Sequence, residues 1–135
     1  MRQGNPAQVV YIVDDDASVR KGLARLMRSA GYRVHVFETG DDFLSDVGIN
    51  GEGCVVLDIT MPRISGQQVQ ELMLQRNIQL PVIALSAKDD EETRRHARVL
   101  GARFFLRKPV DDQAILDAIQ WVTDAGRPAS DGEDS

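Results

Sequence analysis

The segment Cys54-Val55-Val56-Leu57-Asp58-Ile59-Thr60-Met61-Pro62 decides the fold. Its first four residues are apolar, and a short apolar run of this kind is typical of a strand buried on both faces of a parallel sheet. The run stops at Asp58, whose carboxylate therefore stands at the carboxyl end of the predicted strand. Because ligands of open parallel sheets bind beyond that end, Asp58 is the first candidate functional residue.

The same arrangement repeats along the chain. Five short apolar runs alternate with longer segments whose apolar residues recur at the spacing of an amphipathic helix. The apolar runs are Val9–Val13, Arg33–Phe37, Cys54–Leu57, Pro81–Leu85 and Arg103–Leu106. The helical stripes are Val19–Ala30, Phe43–Val47, Val69–Met73, Thr93–Leu100 and Ile115–Val122. This alternation predicts an α/β protein with a parallel sheet and right-handed crossovers, in which all five strands are buried on both faces.

Local signals mark several of the predicted helix boundaries. Gly31 and Gly101 stand where glycine commonly ends a helix, directly after the first and fourth stripes. Ser65 precedes Gln68 by three residues, which is the spacing of a capping box at the start of the third helix. These signals support the predicted order of elements.

The length and the two ends of the chain indicate one domain. The 135 residues suit a single core, and the strand and helix periodicity is confined to residues 9–125. Residues 1–8 and 126–135 are polar and lack periodicity, which predicts a disordered N-terminal tail and an acidic C-terminal tail or linker.

Charge and cysteine content exclude several classes of function. The net charge of −5 gives the chain no general attraction for nucleic acid or for an anionic membrane surface, so we expect neither partner for this chain alone. The sequence has no signal-peptide pattern and no apolar stretch near the roughly 18 residues that span a bilayer. The single cysteine, Cys54, lies in an apolar run and is expected to be a buried, inert thiol. We therefore expect a cytoplasmic protein.

Polar side chains follow four of the predicted strands. Strand one is followed by Asp14-Asp15-Asp16, strand three by Asp58, strand four by Ser86 and strand five by Lys108. If strands one and three are neighbours, their ends lie about 4.8 Å apart and the carboxylates converge. Asp14, Asp15 and Asp58 together with Lys108 leave an excess of two negative charges, which a divalent cation balances. Oxygen ligands without nearby histidine or cysteine favour Mg²⁺ over zinc.

These segments resemble the receiver domain of two-component response regulators. The resemblance covers residues 9–125 and is nearest in appearance to regulators of the nitrogen-fixation and nitrate-response type. The matching segments are Val9–Asp16, Val55–Pro62, Ser65-Gly66, Pro81–Ala87, Gly101-Ala102 and Phe105–Pro109. The resemblance implies a doubly wound (βα)5 fold, flavodoxin-like, with a five-stranded parallel sheet in the order 2-1-3-4-5.

The resemblance also implies a role for each residue around the predicted acidic site. Asp58 matches the phosphoacceptor. Asp14, Asp15 and Asp58 match the carboxylates that hold Mg²⁺ together with the backbone carbonyl of Thr60. Within this set, Asp15 is expected to be a direct ligand and Asp14 to act largely through water. Thr60 and Lys88 match the two positions that govern how fast the phosphate is lost.

Three further residues match the parts of the switch. Lys108 corresponds to the lysine that pairs with the phosphoryl group, and its bond to Pro109 is expected to be cis. Ser86 corresponds to the switch hydroxyl. Phe105 corresponds to the switch aromatic, although Phe104 stands where the family commonly has aspartate and makes a tandem pair of rings. The spacing from Lys108 favours Phe105 as the mobile ring.

The same resemblance implies partners. The phosphoryl donor is expected to be a sensor histidine kinase or a phosphotransfer protein, and the chain is expected to control an output domain or partner protein and to form a homodimer on phosphorylation. Helix four, with its thin apolar stripe and the arginines Arg94, Arg95 and Arg98, belongs to the helix 4–strand 5–helix 5 face that changes on phosphorylation. Trp121 lies at the edge of the fifth stripe, which favours a place beside the core over a partner contact.

Two other functions remain as alternatives. Asp14-Asp15-Asp16-Ala17-Ser18 can be read as the nucleophile motif of a haloacid-dehalogenase-type phosphatase, although that reading leaves Asp58 without a role. A phosphorylation-independent interaction module of the same fold is the other alternative, although such modules lose the acids or the lysine that this chain keeps. A signalling protein, which catalyses only its own phosphotransfer and dephosphorylation and is not otherwise an enzyme, is the preferred interpretation.

Overall fold

The computed structural model describes residues 8–47, 52–61, 65–88 and 90–125, and strands and helices alternate throughout these ranges. The strands are β1 (Val9–Val13), β2 (Arg33–Phe37), β3 (Cys54–Asp58), β4 (Val82–Ser86) and β5 (Ala102–Arg107). The helices are α1 (Ala17–Ser29), α2 (Gly40–Val47), α3 (Gly66–Gln75), α4 (Glu91–Val99) and α5 (Asp112–Ala125). The two predicted tails lie outside the described residues, apart from Gln8.

The five strands form one parallel sheet in the order β2-β1-β3-β4-β5, which confirms the predicted topology. The chain order reverses between β1 and β3, so a crevice opens at the carboxyl ends of these two strands. Val13 pairs with Leu57 in this part of the sheet. This register brings the residues that follow them, Asp14 and Asp58, to the same edge.

The core lies on both faces of the sheet because side chains alternate along each strand. Val55 and Leu57 of β3 face α2, α3 and α4, whereas Cys54 and Val56 face α1 and α5. Burial raises the pKa of the Cys54 thiol to about 12, as expected for an inert cysteine. Two helical layers therefore enclose the central strands.

The two edge strands differ from the sequence prediction. Every residue of β3 and β4 is buried, and so is all of β1 except the partly buried Val9. Every residue of β2 and β5 is at least partly exposed. The prediction that all five strands are buried on both faces is therefore wrong for these two, because a strand at the edge of a sheet has a neighbour on one side only.

A second difference concerns Trp121, whose side chain is 66% exposed. It lies on α5 beside Phe104 and Leu106 of β5 and lines an open groove between the helix and this edge strand. The predicted place beside the core is wrong, because β5 is the edge strand of the described sheet and leaves this side of α5 uncovered.

The local boundary signals are confirmed where the structure describes them. Gly31 and Gly101 follow α1 and α4 with φ of 95° and 109°, a left-handed conformation that glycine adopts without strain. Ser65 and Gln68 form the predicted capping box at the start of α3.

Candidate functional site

Three carboxylates meet at the crevice between β1 and β3. One oxygen from each of Asp14, Asp15 and Asp58 lies within 4.8 Å of the others. Asp14 and Asp58 are buried, whereas Asp15 is exposed. The structure therefore brings together the three acids that the sequence placed after strands one and three.

Asp58 is held by the turn that leaves β3. Its Oδ1 accepts hydrogen bonds from the backbone amide and from the hydroxyl of Thr60, both at 3.0 Å. Its Oδ2 lies 3.2 Å from the ammonium of Lys108. The strand fixes the backbone of Asp58, and the next turn fixes the orientation of its carboxylate.

Lys108 reaches the acids from β5 on the far side of β4. Its Nζ lies 2.8 Å from Oδ2 of Asp14 and 3.2 Å from Oδ2 of Asp58. The Lys108-Pro109 bond is cis, as predicted, and the Lys108 amide donates to the carbonyl of Ser86 at 2.8 Å. Burial alone lowers the pKa of Lys108, but the two carboxylates outweigh it and raise this pKa above its usual value. The lysine is therefore a fixed positive charge in the acidic cluster.

The electrostatics of the cluster remain unfavourable with Lys108 in place. Burial raises the pKa of Asp14, although Lys108 and the amide of Asp16 act in the opposite direction. Burial and the neighbouring Asp58 raise the pKa of Asp15. Within the described residues, Oδ2 of Asp14 accepts no hydrogen bond of good geometry, although it contacts the lysine. Clustered oxygen donors with uncompensated negative charge fit a hard divalent cation such as Mg²⁺.

The start of α1 fixes Asp14 in a way that the sequence analysis missed. The amide of Asp16 donates to Oδ1 of Asp14 at 2.9 Å, and the guanidinium of Arg20 donates to the Asp14 carbonyl at 2.8 Å. Asp16 in turn caps α1 by accepting from the amides of Ser18 and Val19. The available signal was the arginine one helical turn after an N-cap aspartate, which points back toward the helix N-terminus.

Ser86 stands beside the cluster at the end of β4 and is fully buried. Its Oγ accepts a hydrogen bond from the amide of Lys88 at 2.9 Å. Lys88 itself is exposed. The predicted switch hydroxyl is therefore tied to the first residues of the β4–α4 loop.

The tandem aromatic residues of β5 point to opposite faces of the sheet. Phe105 packs against the core on the α4 side, with the guanidinium of Arg94 5.6 Å from the centre of its ring. Phe104 packs against the core on the α5 side, near Trp121. The ring on the α4 face is the one that the spacing from Lys108 favours.

None of the helices in the described ranges is both long and apolar enough to cross a bilayer.

Comparison with known sequences matches the model of the response regulator receiver domain to residues 10–120. The transcriptional regulatory protein TdiR of Thauera aromatica is 40% identical over 131 residues, which cover 96% of this chain and 57% of TdiR. The transcriptional regulatory protein FixJ of Azorhizobium caulinodans is 37% identical over 124 residues, 91% of this chain and 57% of FixJ. The chain therefore spans less than two thirds of the length of these curated relatives.

Solved structures give the same result. Full-length FixJ from B. japonicum superposes with a TM-score of 0.84 at 30% identity, covering 93% of this chain and 62% of that structure. The response regulator StyR superposes with a TM-score of 0.81 at 39% identity, covering 87% of this chain and 59% of that structure. With the fold, the acidic crevice and these relatives in agreement, the chain belongs to the response regulator receiver domain family of two-component systems.

Proposed function

We propose that this receiver domain accepts a phosphoryl group on Asp58 from the phosphohistidine of a sensor histidine kinase or a phosphotransfer protein. The observation that carries the proposal is the position of Lys108, whose ammonium contacts Asp58 and Asp14 together at the sheet edge. Phosphoryl transfer depends mainly on positioning and on neutralising charge, and this arrangement supplies both.

The carboxylates of Asp14, Asp15 and Asp58 and the backbone carbonyl of Thr60 are the groups proposed to hold Mg²⁺. Clustered oxygen donors, with buried Oδ2 of Asp14 lacking a good hydrogen bond among the described residues, support this assignment. When bound, the ion neutralises the negative charge that the donor phosphoryl group brings to the acidic crevice. Lys108 supplies one positive charge from the protein itself.

In the transfer step, an oxygen of Asp58 forms a bond to phosphorus while the bond from phosphorus to the histidine nitrogen breaks. The electron pair of that bond returns to the imidazole, and the product is an acyl phosphate on Asp58. Thr60 orients the attacking carboxylate through its two hydrogen bonds. Lys108 pairs with a phosphoryl oxygen, and the Ser86 hydroxyl turns inward to donate to another.

Loss of the phosphate is proposed to depend on Thr60 and Lys88, which flank the site on two sides. Thr60 follows Asp58 by two residues, and exposed Lys88 follows Ser86 by two residues. Both positions border the path by which water reaches the acyl phosphate. The domain is thus proposed to act in signalling, catalysing its own phosphorylation and dephosphorylation and no other reaction.

We place the receiver at residues 9–125 and propose that residues 126–135 lead toward an output domain or partner, as the greater length of TdiR and FixJ suggests. The α4–β5–α5 face is proposed to transmit the signal and to form a homodimer when Asp58 is phosphorylated. The proposed location is the cytoplasm, where sensor kinases present their phosphohistidine.

The experiment is incubation with Mg²⁺ and acetyl phosphate, a small phosphoryl donor. The parent is expected to gain one phosphate of about 80 Da by mass spectrometry, and Asp58→Asn to gain none, because Asp58 is the carboxylate that, among the described residues, contacts both Thr60 and Lys108. Asp46→Asn, an exposed aspartate of α2, is the matched control and should label like the parent.

The same labelling distinguishes the two alternatives. Phosphate on Asp14 with Asp58→Asn still labelled would favour the nucleophile arrangement of a haloacid-dehalogenase-type phosphatase. The buried Asp14 already contacts Lys108 and the Asp16 amide, which opposes that outcome. No labelling of the parent, together with no Mg²⁺ binding, would favour the phosphorylation-independent module.

A further inference from the structure

Helix α4 buries little of its side-chain surface against the rest of the domain. Of its nine residues, all within the described range 90–125, only Ala97 is buried. Its N-terminal half contacts β5 through Arg94, whose guanidinium lies over the Phe105 ring. A helix with so little buried apolar surface depends more than others on each polar contact for its position.

One such contact fixes the C-terminal turn of α4. The last four carbonyls of a helix have no partner inside the helix. Two of them, His96 and Arg98, accept from the backbone amides of Leu100 and Gly101. The carbonyl of Ala97, which lies between them, accepts from the side-chain Nε2 of Gln70 at 3.0 Å. A side chain of α3 therefore caps α4.

The Gln70 amide group is buried, and only its nitrogen has a hydrogen-bond partner among the described residues. Gln70 is 1% exposed, and within the described residues its Oε1 has no hydrogen-bond partner. Beside it, an open cavity of about 450 Å³ separates the C-terminal ends of α3 and α4 and is lined in part by Met73, Leu74 and Leu100. The amide therefore joins the two helices at a place where apolar packing between them is sparse.

We propose that Gln70 is a positioning residue that pins the C-terminal end of α4, so that α4 pivots about Ala97 when the domain is switched. This inference rests on the proposed function for the movement itself. The N-terminal end of α4 begins at Glu91, five residues after Ser86, whose hydroxyl accepts from the Lys88 amide in the loop between them. The C-terminal end is held by the Gln70 amide and by the turn at Gly101.

The first arm of the test uses the unphosphorylated protein and does not depend on the proposed function. Gln70→Met keeps the size of the side chain and removes both polar atoms, whereas Gln70→Glu removes the donor and leaves buried acceptors. Gln75→Met, an exposed glutamine of the same helix, is the control. The rate of amide hydrogen exchange at Leu100 and Gly101 is measured for each variant and divided by the rate at the amides of α1.

We expect exchange at Leu100 and Gly101 to be roughly two- to tenfold faster in Gln70→Met than in Gln75→Met, because one hydrogen bond to the last turn is lost. The urea midpoint of Gln70→Met should stay close to that of the parent, because removal of the unsatisfied Oε1 offsets the loss of the hydrogen bond to the Ala97 carbonyl. Gln70→Glu should lower the midpoint, since its carboxylate meets the Ala97 carbonyl without a donor. If both amides exchange equally fast in Gln70→Met and Gln75→Met, Gln70 does not stabilise the last turn of α4.

The second arm adds Mg²⁺ and beryllofluoride, which mimics a phosphoryl group. In the parent, amide shifts should be large at Glu91–Arg94 and small at Ala97–Gly101. In Gln70→Met they should extend through Ala97–Gly101, a change of pattern that a loss of stability alone does not produce. Equal shifts at both ends of α4 in the parent would overturn the pivot. No shift around Asp58 would instead contradict the proposed function and leave the result of the first arm in force.

Discussion

The helices α1 and α4 both follow a strand that ends at the site, yet they are held to the sheet very differently. α1 buries Leu23, Ala24 and Met27, and its first turn is tied to the site through Arg20 and the backbone of Asp14. α4 buries Ala97 and depends on contacts with Gln70 and Phe105. Both helices have a capping aspartate, Asp16 and Asp90, so the difference lies in packing and not in helix formation.

This difference places the acidic site beside a firmly packed helix, whereas the proposed response to phosphorylation involves a loosely packed one. Asp14 and Asp15, which are proposed to hold Mg²⁺, lie next to the firmly packed helix, where positions are fixed before any phosphoryl group arrives. The loosely held helix follows Ser86, where a small local change can shift an equilibrium between two positions. The following predictions test how far this division holds.

The largest expected effect comes from removing a buried side chain of α1. Met27 is fully buried, and Met27→Ala should lower the free energy of unfolding by about 2–5 kcal/mol because it removes apolar contacts and leaves a cavity. Val99 of α4 is 70% exposed, and Val99→Ala should change this free energy by less than about 0.5 kcal/mol. Urea unfolding measures both, and a similar loss in the two variants would remove the distinction between the helices.

A smaller effect is expected where α3 approaches the site. A Cβ at Gly66 would lie 2.4 Å from Cα of Ile59 and 2.5 Å from the carbonyl of Asp58, so Gly66→Ala should lower the free energy of unfolding by about 1–3 kcal/mol. Gly22, inside α1, has no atom within 4 Å of such a Cβ. Gly22→Ala should therefore raise stability by about 0.5–1 kcal/mol. The same sign for both substitutions in urea unfolding would contradict this close approach of α3 to β3.

These glycines show what a single sequence reveals and what it hides. Hydrophobic periodicity predicted each strand and helix, because burial of one face requires it whatever lies opposite. The close approach at Gly66 depends on which backbone the helix meets, and the sequence alone does not specify that. For the same reason the sequence predicts a fully buried strand at β2, although its Val36 is 42% exposed at the edge of the sheet.

The site was predicted more fully than its surroundings. Asp14 and Lys108 directly follow β1 and β5, and Asp58 ends β3, so the topology alone brings them together. Gln70 was not predicted, because a glutamine next to the charged Glu71 is ordinarily interpreted as solvent-facing. It follows Gly66 by four residues and precedes Met73 by three, and this shared helix face was the signal that could have marked it as buried.

Mg²⁺ should stabilise the folded domain by binding the acidic cluster beside α1. An ion that binds the folded state alone adds about 1.4 kcal/mol at ten times its dissociation constant, so the melting temperature should rise on adding Mg²⁺. Asp15→Asn should reduce this rise, because it removes one carboxylate from the cluster. Without the ion, the same variant should be at least as stable as the parent, since the pKa of Asp15 is raised by burial and by Asp58. An equal rise in both proteins, measured by thermal unfolding, would remove Asp15 from the proposed metal site.

The last and smallest effect concerns the connection between the acidic site and α4. Ser86 accepts from the amide of Lys88, and through that loop it connects the site to α4. When a phosphoryl group binds Asp58, the hydroxyl is expected to turn toward it and leave space for the ring of Phe105. Phenylalanine has no hydroxyl that favours an exposed position, so the inward ring is expected to be partly populated before phosphorylation. A switch that is already partly populated gives a modest response.

Ser86→Ala should therefore bind beryllofluoride with Mg²⁺ as the parent does, because Lys108 and the acids remain, but transmit it poorly. Backbone amide shifts at residues 94–107 are the measurement, and they should be smaller in Ser86→Ala than in the parent. Ser45→Ala, which removes an exposed hydroxyl of α2, should leave them unchanged. Equal shifts in all three proteins would mean that the signal reaches α4 without Ser86. The coupling would then have to run through Lys108 and β5, whose backbone is bonded to the Ser86 carbonyl and not to its hydroxyl.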